Sequence, residues 1–152
     1  MDIKTKNLLI NALILGLGFM GAVDGILFHQ FLQWHHVIDH HNHRIELFSD
    51  GVFNLFVTLL LVLACVKIFK DASNDHLSFN WRNFIGSMII GAGAFNLLEG
   101  LIDHQLLGLH HVKPASPNWL LYDIGYLISG VILIIIGRSY LKLKIDTRKK
   151  VR

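Results

Sequence analysis

Asp24-Gly25-Ile26-Leu27-Phe28-His29-Gln30-Phe31-Leu32-Gln33-Trp34-His35-His36-Val37 returns 75 residues later as Glu99-Gly100-Leu101-Ile102-Asp103-His104-Gln105-Leu106-Leu107-Gly108-Leu109-His110-His111-Val112, ungapped and identical at seven of fourteen positions. The shared pattern is acid-Gly-x-x-x-His-Gln-x-Leu-x-x-His-His-Val. Chance likeness between apolar segments pairs Leu with Leu; here the matches fall on His, Gln, Gly and an acid, so the repeat reads as a duplication that sets the architecture.

Working outward, the chain is 53% hydrophobic and only 16% charged, against about 25% charged in an ordinary soluble domain. That deficit points to a membrane protein. One cysteine, Cys65, excludes an internal disulfide and a thiolate metal cage. Lys4 and Lys6 before an apolar run superficially suggest a signal peptide. The run is too long for one, lacks a small-residue cleavage site and carries the first motif, so a retained membrane helix is expected.

Four segments are long enough to cross a bilayer, which takes about 20 mainly apolar residues: about 8–32, 47–69, 84–107 and 119–141. A soluble bundle would keep a polar face on each helix, and Leu55 to Val66 keeps none beyond Thr58. Twelve Lys and Arg lie at the N-terminus, around the loop after the second segment and at the C-terminus, against Arg44 and Lys113 elsewhere. The asymmetry predicts both termini in the cytoplasm. The basic tail at 142–152 is then a topology determinant rather than a nucleic-acid arm. Trp34, Trp119 and Tyr122 are expected at the outer interface, Trp81 and Tyr140 at the inner one. The fold class is an all-α integral membrane four-helix bundle, one domain of two parallel hairpins at about 8–70 and 83–142. Gly16, Gly18, Gly21 and Gly25 on the first helix, with Ser87, Gly91, Gly93 and Gly100 on the third, suit close helix contact. Cys65, Met20 and Met88 read as packing residues.

On this topology nine of the ten histidines fall in the outer half or outer loops, with only His76 inside. Asp24 and Glu99 lie within the apolar slab, and Asp50 and Asp123 begin helices descending from the same side. A charged acid deep in a helix costs about 2.5–3.5 kcal/mol on insertion scales, so Asp24, Glu99 and Asp103 together oppose insertion by roughly 9 kcal/mol. No Lys or Arg is expected at that depth, which leaves a bound cation, shared protons or water to offset the charge.

Ideal helical spacing puts His29 with His36, and His104 with His111, on one stripe. A carboxylate stripe of Glu99 and Asp103 runs beside it, continued by His110; in the first helix the stripe is Asp24, Phe28 and His35. A lone His in a membrane helix serves as interhelical glue; symmetric pairs at the depth of four acids favour a metal site. His29, His104, Asp24 and Glu99 are the expected ligands. Asp103, Asp50 and Asp123 are ligands or orienting acceptors, Gln30 and Gln105 outer supports. His35, His36, His110 and His111 line the mouth or form a second site. The loop His40, His41 and His43 has no counterpart in the second copy and reads equally as metal capture or a solvated loop.

The double motif resembles a family of small bacterial four-helix, histidine-rich membrane proteins catalogued as a domain of unknown function, over nearly the whole chain. The resemblance implies a bacterial cytoplasmic membrane location and the four-span fold, and supplies no activity.

His and carboxylate donors without thiolate suit zinc, copper, iron or manganese. The expected function is an integral membrane metal-binding protein with its site near the extracytoplasmic face. A redox-active ion would make it an oxidoreductase or a metal chaperone; zinc would suggest hydrolysis. Rival readings are a b-type haem protein with paired His29 and His104, a proton or cation transporter, and a non-catalytic structural subunit. Expected partners are the lipid bilayer and a second copy or another membrane protein, without nucleic acid.

Overall fold

A computed structural model describes residues 1–39 and 41–141. His40 and the basic tail at 142–152 lie outside the described residues.

Helix α1 spans Ile3–Asp24, starting at an Asp2 cap whose carboxylate accepts from the Thr5 N–H at 2.8 Å. It continues as a π-helical segment over Gly25–Phe31. Helix α2 is His43–Ser73, capped by the Asn42 side chain. Helix α3 is Trp81–Glu99, capped by Asn80, and it too continues as a π-helix, Gly100–Leu106. Helix α4 is Trp119–Tyr140. The described residues contain no strand. Counting the π segments, all four helices are long and apolar enough to cross a membrane. The expected spans hold to within a few residues, and all ends but α4's start lie differently because caps, which periodicity does not reveal, decide them.

The helices pack in the order α2, α1, α3, α4, with α1 against α3 at the centre and each outer helix on its own neighbour. Small residues allow the central contact. A Cβ at Gly16 would run into the Met88 backbone and one at Gly91 into the Leu13 carbonyl. Ser87 Oγ donates to the Leu9 carbonyl across the same seam at 2.5 Å. Between α3 and α4, a Cβ at Gly93 would meet Gly130 O at 2.5 Å, and Asn96 donates to Ser129 at 2.9 Å. Such close backbone approach is how membrane helices gain attraction where lipid removes the hydrophobic drive.

The distribution of polarity is inverted relative to a water-soluble bundle. The interior holds Asp24, His29, His35, Asp50, Glu99, His104, His110 and Asp123, whereas Leu55, Phe56, Leu63, Val66, Ile128 and Ile135 face outward. That is stable only where the surroundings are apolar and the inner polar groups satisfy one another. Cys65, expected to pack, is exposed on α2, on a helix that buries little of itself.

Candidate metal centre

At the end of the bundle away from Met1 and Leu141, the backbone departs from the α-helix twice, in matching places. After Asp24 and after Glu99 the helix widens to π geometry. Leu32 then donates to Leu27 O and Leu107 to Ile102 O, each at 2.8 Å. The next exposed turn residues, Gln33 and Gly108, have φ of 47° and 58°. A left-handed residue ends a helix and turns the chain back. So His35, His36, His110 and His111 are not on helices, and the expected stripe pairing His29 with His36 does not form. The chain instead returns His35 and His110 to the interior, where each is 3% exposed.

Four buried imidazoles meet there in a row. His29 stands 4.7 Å from His35 between ring centroids; His35 stacks on His110 at 4.5 Å, planes 11° apart; His110 stands 4.7 Å from His104. The two inner rings are held by crossed backbone bonds. His35 Nδ1 donates to Val112 O at 2.8 Å, and His110 Nδ1 donates to Val37 O at 3.0 Å. A carbonyl only accepts, so Nδ1 carries the proton in each ring and Nε2 is turned inward. Burial, with His110 and His29 beside it, pushes His35 down to about 3, so the ring is neutral. Burial works against protonation of His110 as well, but its hydrogen bond to Glu99 and that residue's charge outweigh this and raise it.

Carboxylates flank the outer rings. His29 Nε2 lies 3.3 Å from Asp24 and its Nδ1 3.1 Å from Asp50. His104 Nε2 lies 3.4 Å from Glu99 and its Nδ1 3.6 Å from Asp123. Asp50 also accepts from His36 Nδ1 at 2.7 Å and from the Val37 N–H at 3.0 Å. Asp123 accepts in the same way from His111 Nδ1 at 2.7 Å and Val112 N at 2.9 Å. Among the described residues no Lys or Arg pairs with Asp24, Asp50, Glu99 or Asp123.

Two groups present ligand atoms within 4.8 Å of one another: Asp24, His29 and His35, and His35, Glu99 and His110. Asp24 Oδ2, both ring nitrogens of His29, both of His104 and His35 Nε2 are buried and make no aligned hydrogen bond, although the His29 and His104 nitrogens stand within ion-pair distance of carboxylates. Each such orphan costs about 1–3 kcal/mol unless something else satisfies it. Both groups suit a divalent ion held by imidazole and carboxylate.

Of the residues singled out from sequence, Asp24, Glu99, His29, His35, His104 and His110 come together. His36 and His111 stay outside them, their side chains 19% and 29% exposed. Asp50 and Asp123 hold the rings, and Gln105 donates to Asp123 at 2.9 Å. Gln30 is exposed, and Asp103, half-buried, belongs to neither ligand group. His41 and His43 are exposed. Sequence reading missed Tyr126. Its hydroxyl donates to Glu99 and stands 3.4 Å from Asp24 Oδ1, spanning the two acids. The available signal was its place one helical turn after Asp123, facing the same way; the matching position after Asp50 is Phe53.

The family described as "Predicted membrane protein (DUF2243)" matches residues 11–144, and the chain belongs to it. No curated protein and no solved structure matches the chain.

Proposed function

We propose that this DUF2243 member is an integral membrane protein that binds a divalent transition-metal ion between its paired histidines. The observation that carries the reading is the coincidence of donors and vacant hydrogen bonds. Asp24, His29 and His35 are one of the two convergent groups, and all three present buried atoms that make no aligned hydrogen bond. Protonated Nδ1 on His35 leaves its Nε2 lone pair available, the arrangement found where a backbone carbonyl fixes the tautomer of a metal-ligating imidazole. A cation would also offset four buried carboxylates that, among the described residues, pair with no Lys or Arg, and it would do so where an apolar surrounding strengthens the attraction.

The donor set favours zinc, copper, iron or manganese. His35 is common to both groups, so the reading is one shared centre with the second group completing it. We read the centre as the product of an internal duplication, since contacts from His104 parallel those from His29, and we place it near the extracytoplasmic face on the Lys and Arg asymmetry. With a redox-active ion the centre would serve electron transfer in a membrane oxidoreductase; a metal carrier is the reading without turnover. The paired-ligand haem reading is disfavoured, because the His35 and His110 rings occupy the space between His29 and His104.

Elemental analysis of the full chain, purified without a histidine tag, tests the proposal. At least one equivalent of a transition metal per chain is expected. A folded protein that neither carries nor takes up zinc, copper, iron or manganese would end it.

A further inference from the structure

The two ends of the histidine row differ at the surface. On one side the residue four before Asp123 is Trp119, and its ring stacks on His111 at 4.0 Å. On the other side the residue four before Asp50 is Glu46, which stands beside His36. Its Nδ1 is committed to Asp50 at 2.7 Å, which leaves Nε2 facing Glu46 Oε2 at 4.0 Å. His43 Nδ1 faces the same oxygen at 3.8 Å from a side chain that is 76% exposed. Glu46 also lines a cavity of about 330 Å³ with Asp39, Pro114 and Ala115. Asp39 accepts the His36 backbone N–H at 2.8 Å with one oxygen, and its other, Oδ2, is buried without a partner.

We propose that Glu46, His36 and His43, at the edge of this cavity, form a surface capture site for a divalent transition-metal ion, which feeds the buried centre. The inference rests on the metal reading of that centre and adds its entrance. The His36 ring is oriented by a carboxylate so that its free nitrogen points at a second carboxylate, the relation that prepares an imidazole for a metal. Asp50 then joins surface to interior, its carboxylate touching His36 at 2.7 Å and His29 at 3.1 Å. His29 in turn meets Asp24 at 3.3 Å. From Glu46 through His36, Asp50 and His29 to Asp24, successive imidazole and carboxylate groups thus stand between 2.7 and 4.0 Å apart. The equivalent line through His111 ends on the Trp119 ring where this one ends on the Glu46 carboxylate, so the two sides differ in the ligand they offer at the surface. Two carboxylates on a concave surface concentrate cations there and raise the capture rate.

The test is zinc uptake by the untagged full chain in detergent, followed by competition with a chromophoric chelator. Wild type is expected to take one tight zinc and a second, weaker one. Glu46→Gln and His43→Ala, both in the first turn of α2, should keep the tight zinc, lose the weaker one and fill the tight site about tenfold more slowly. A weaker zinc that survives both substitutions, or variants that load at the wild-type rate, would overturn the entrance while leaving the buried centre standing. Absence of tight zinc in the wild type would remove the centre itself, and the entrance with it.

Discussion

His35 and His110 lie face to face, 4.5 Å apart, and each donates its Nδ1 proton to the loop that carries the other, at Val112 and Val37. The pair is thus both a clasp between two loops and the middle of the proposed metal centre, and the two roles separate experimentally.

His35→Asn keeps an amide N–H where Nδ1 stands and removes Nε2. The variant is expected to fold with the metal-free stability of the wild type while losing most of its bound metal, since His35 belongs to both ligand groups. His111→Ala, outside those groups and outside the surface site, should retain it. Metal per chain by elemental analysis decides; full retention by the asparagine variant would mean the centre is assigned to the wrong rings.

Asp50→Asn and Asp123→Asn should each lower metal affinity by about 10–100-fold, the usual effect of removing a carboxylate that orients ligating imidazoles. Asp50 should matter more, because it stands 3.1 Å from His29 whereas Asp123 stands 3.6 Å from His104. Chelator competition gives both affinities, and unchanged values would show that these acids only hold loops.

Tyr126→Phe deprives Glu99 of a buried donor. The expected cost is about 1–3 kcal/mol, read as a lowered midpoint when the detergent-solubilised protein is unfolded with dodecyl sulfate. Phe53, one turn after Asp50 as Tyr126 is after Asp123, shows that a ring without a hydroxyl suits such a place, so overpacking will not mask the result. A midpoint equal to the wild type would make the hydroxyl dispensable.

Gly91→Ala places a Cβ against the Leu13 carbonyl at the α1–α3 seam and is expected to destabilise by about 1–3 kcal/mol. Gly125→Ala is the control: a Cβ there meets nothing within 4 Å, and alanine is the better helix former by about 1 kcal/mol. Opposite signs for the two substitutions are expected in the same unfolding assay; equal effects would dissociate the seam from stability.

Reporter fusions after Asp75 and at the C-terminus should register the cytoplasm, and one near Asn42 the opposite side. An outward signal at the C-terminus would reverse the placement of the centre.

Much of this was legible in the sequence. Span length and the spacing of apolar residues mark all four helices, because lipid forces every exposed side chain along some twenty residues to be apolar. The recurrence of acid, Gly and His marks the end of the bundle where buried histidines and carboxylates gather. Which histidines meet was not legible. Helical spacing grouped His29 with His36, but Gly25 and Gly100 open π-helical turns and Gln33 and Gly108 reverse the chain. Nothing in a hydropathy pattern distinguishes a widened turn from a regular one, and a left-handed glutamine has no sequence signature. Tyr126 was obscured for another reason, since an aromatic in a membrane helix usually packs against lipid or a neighbouring helix.

The order α2, α1, α3, α4 has α1 against α3 as the junction of the two helix pairs, joined in the chain only by the short turn between α2 and α3. The chain is therefore divisible. Cut in that turn, it would yield two helical pairs that each still owe the other something: His35 needs the Val112 carbonyl, His110 needs that of Val37, and Asp24 shares a tyrosine with Glu99. The group of His35, Glu99 and His110 spans the cut, whereas Asp24, His29 and His35 lie in one fragment, so metal retained by the co-expressed fragments but not by the first alone would report their complementation.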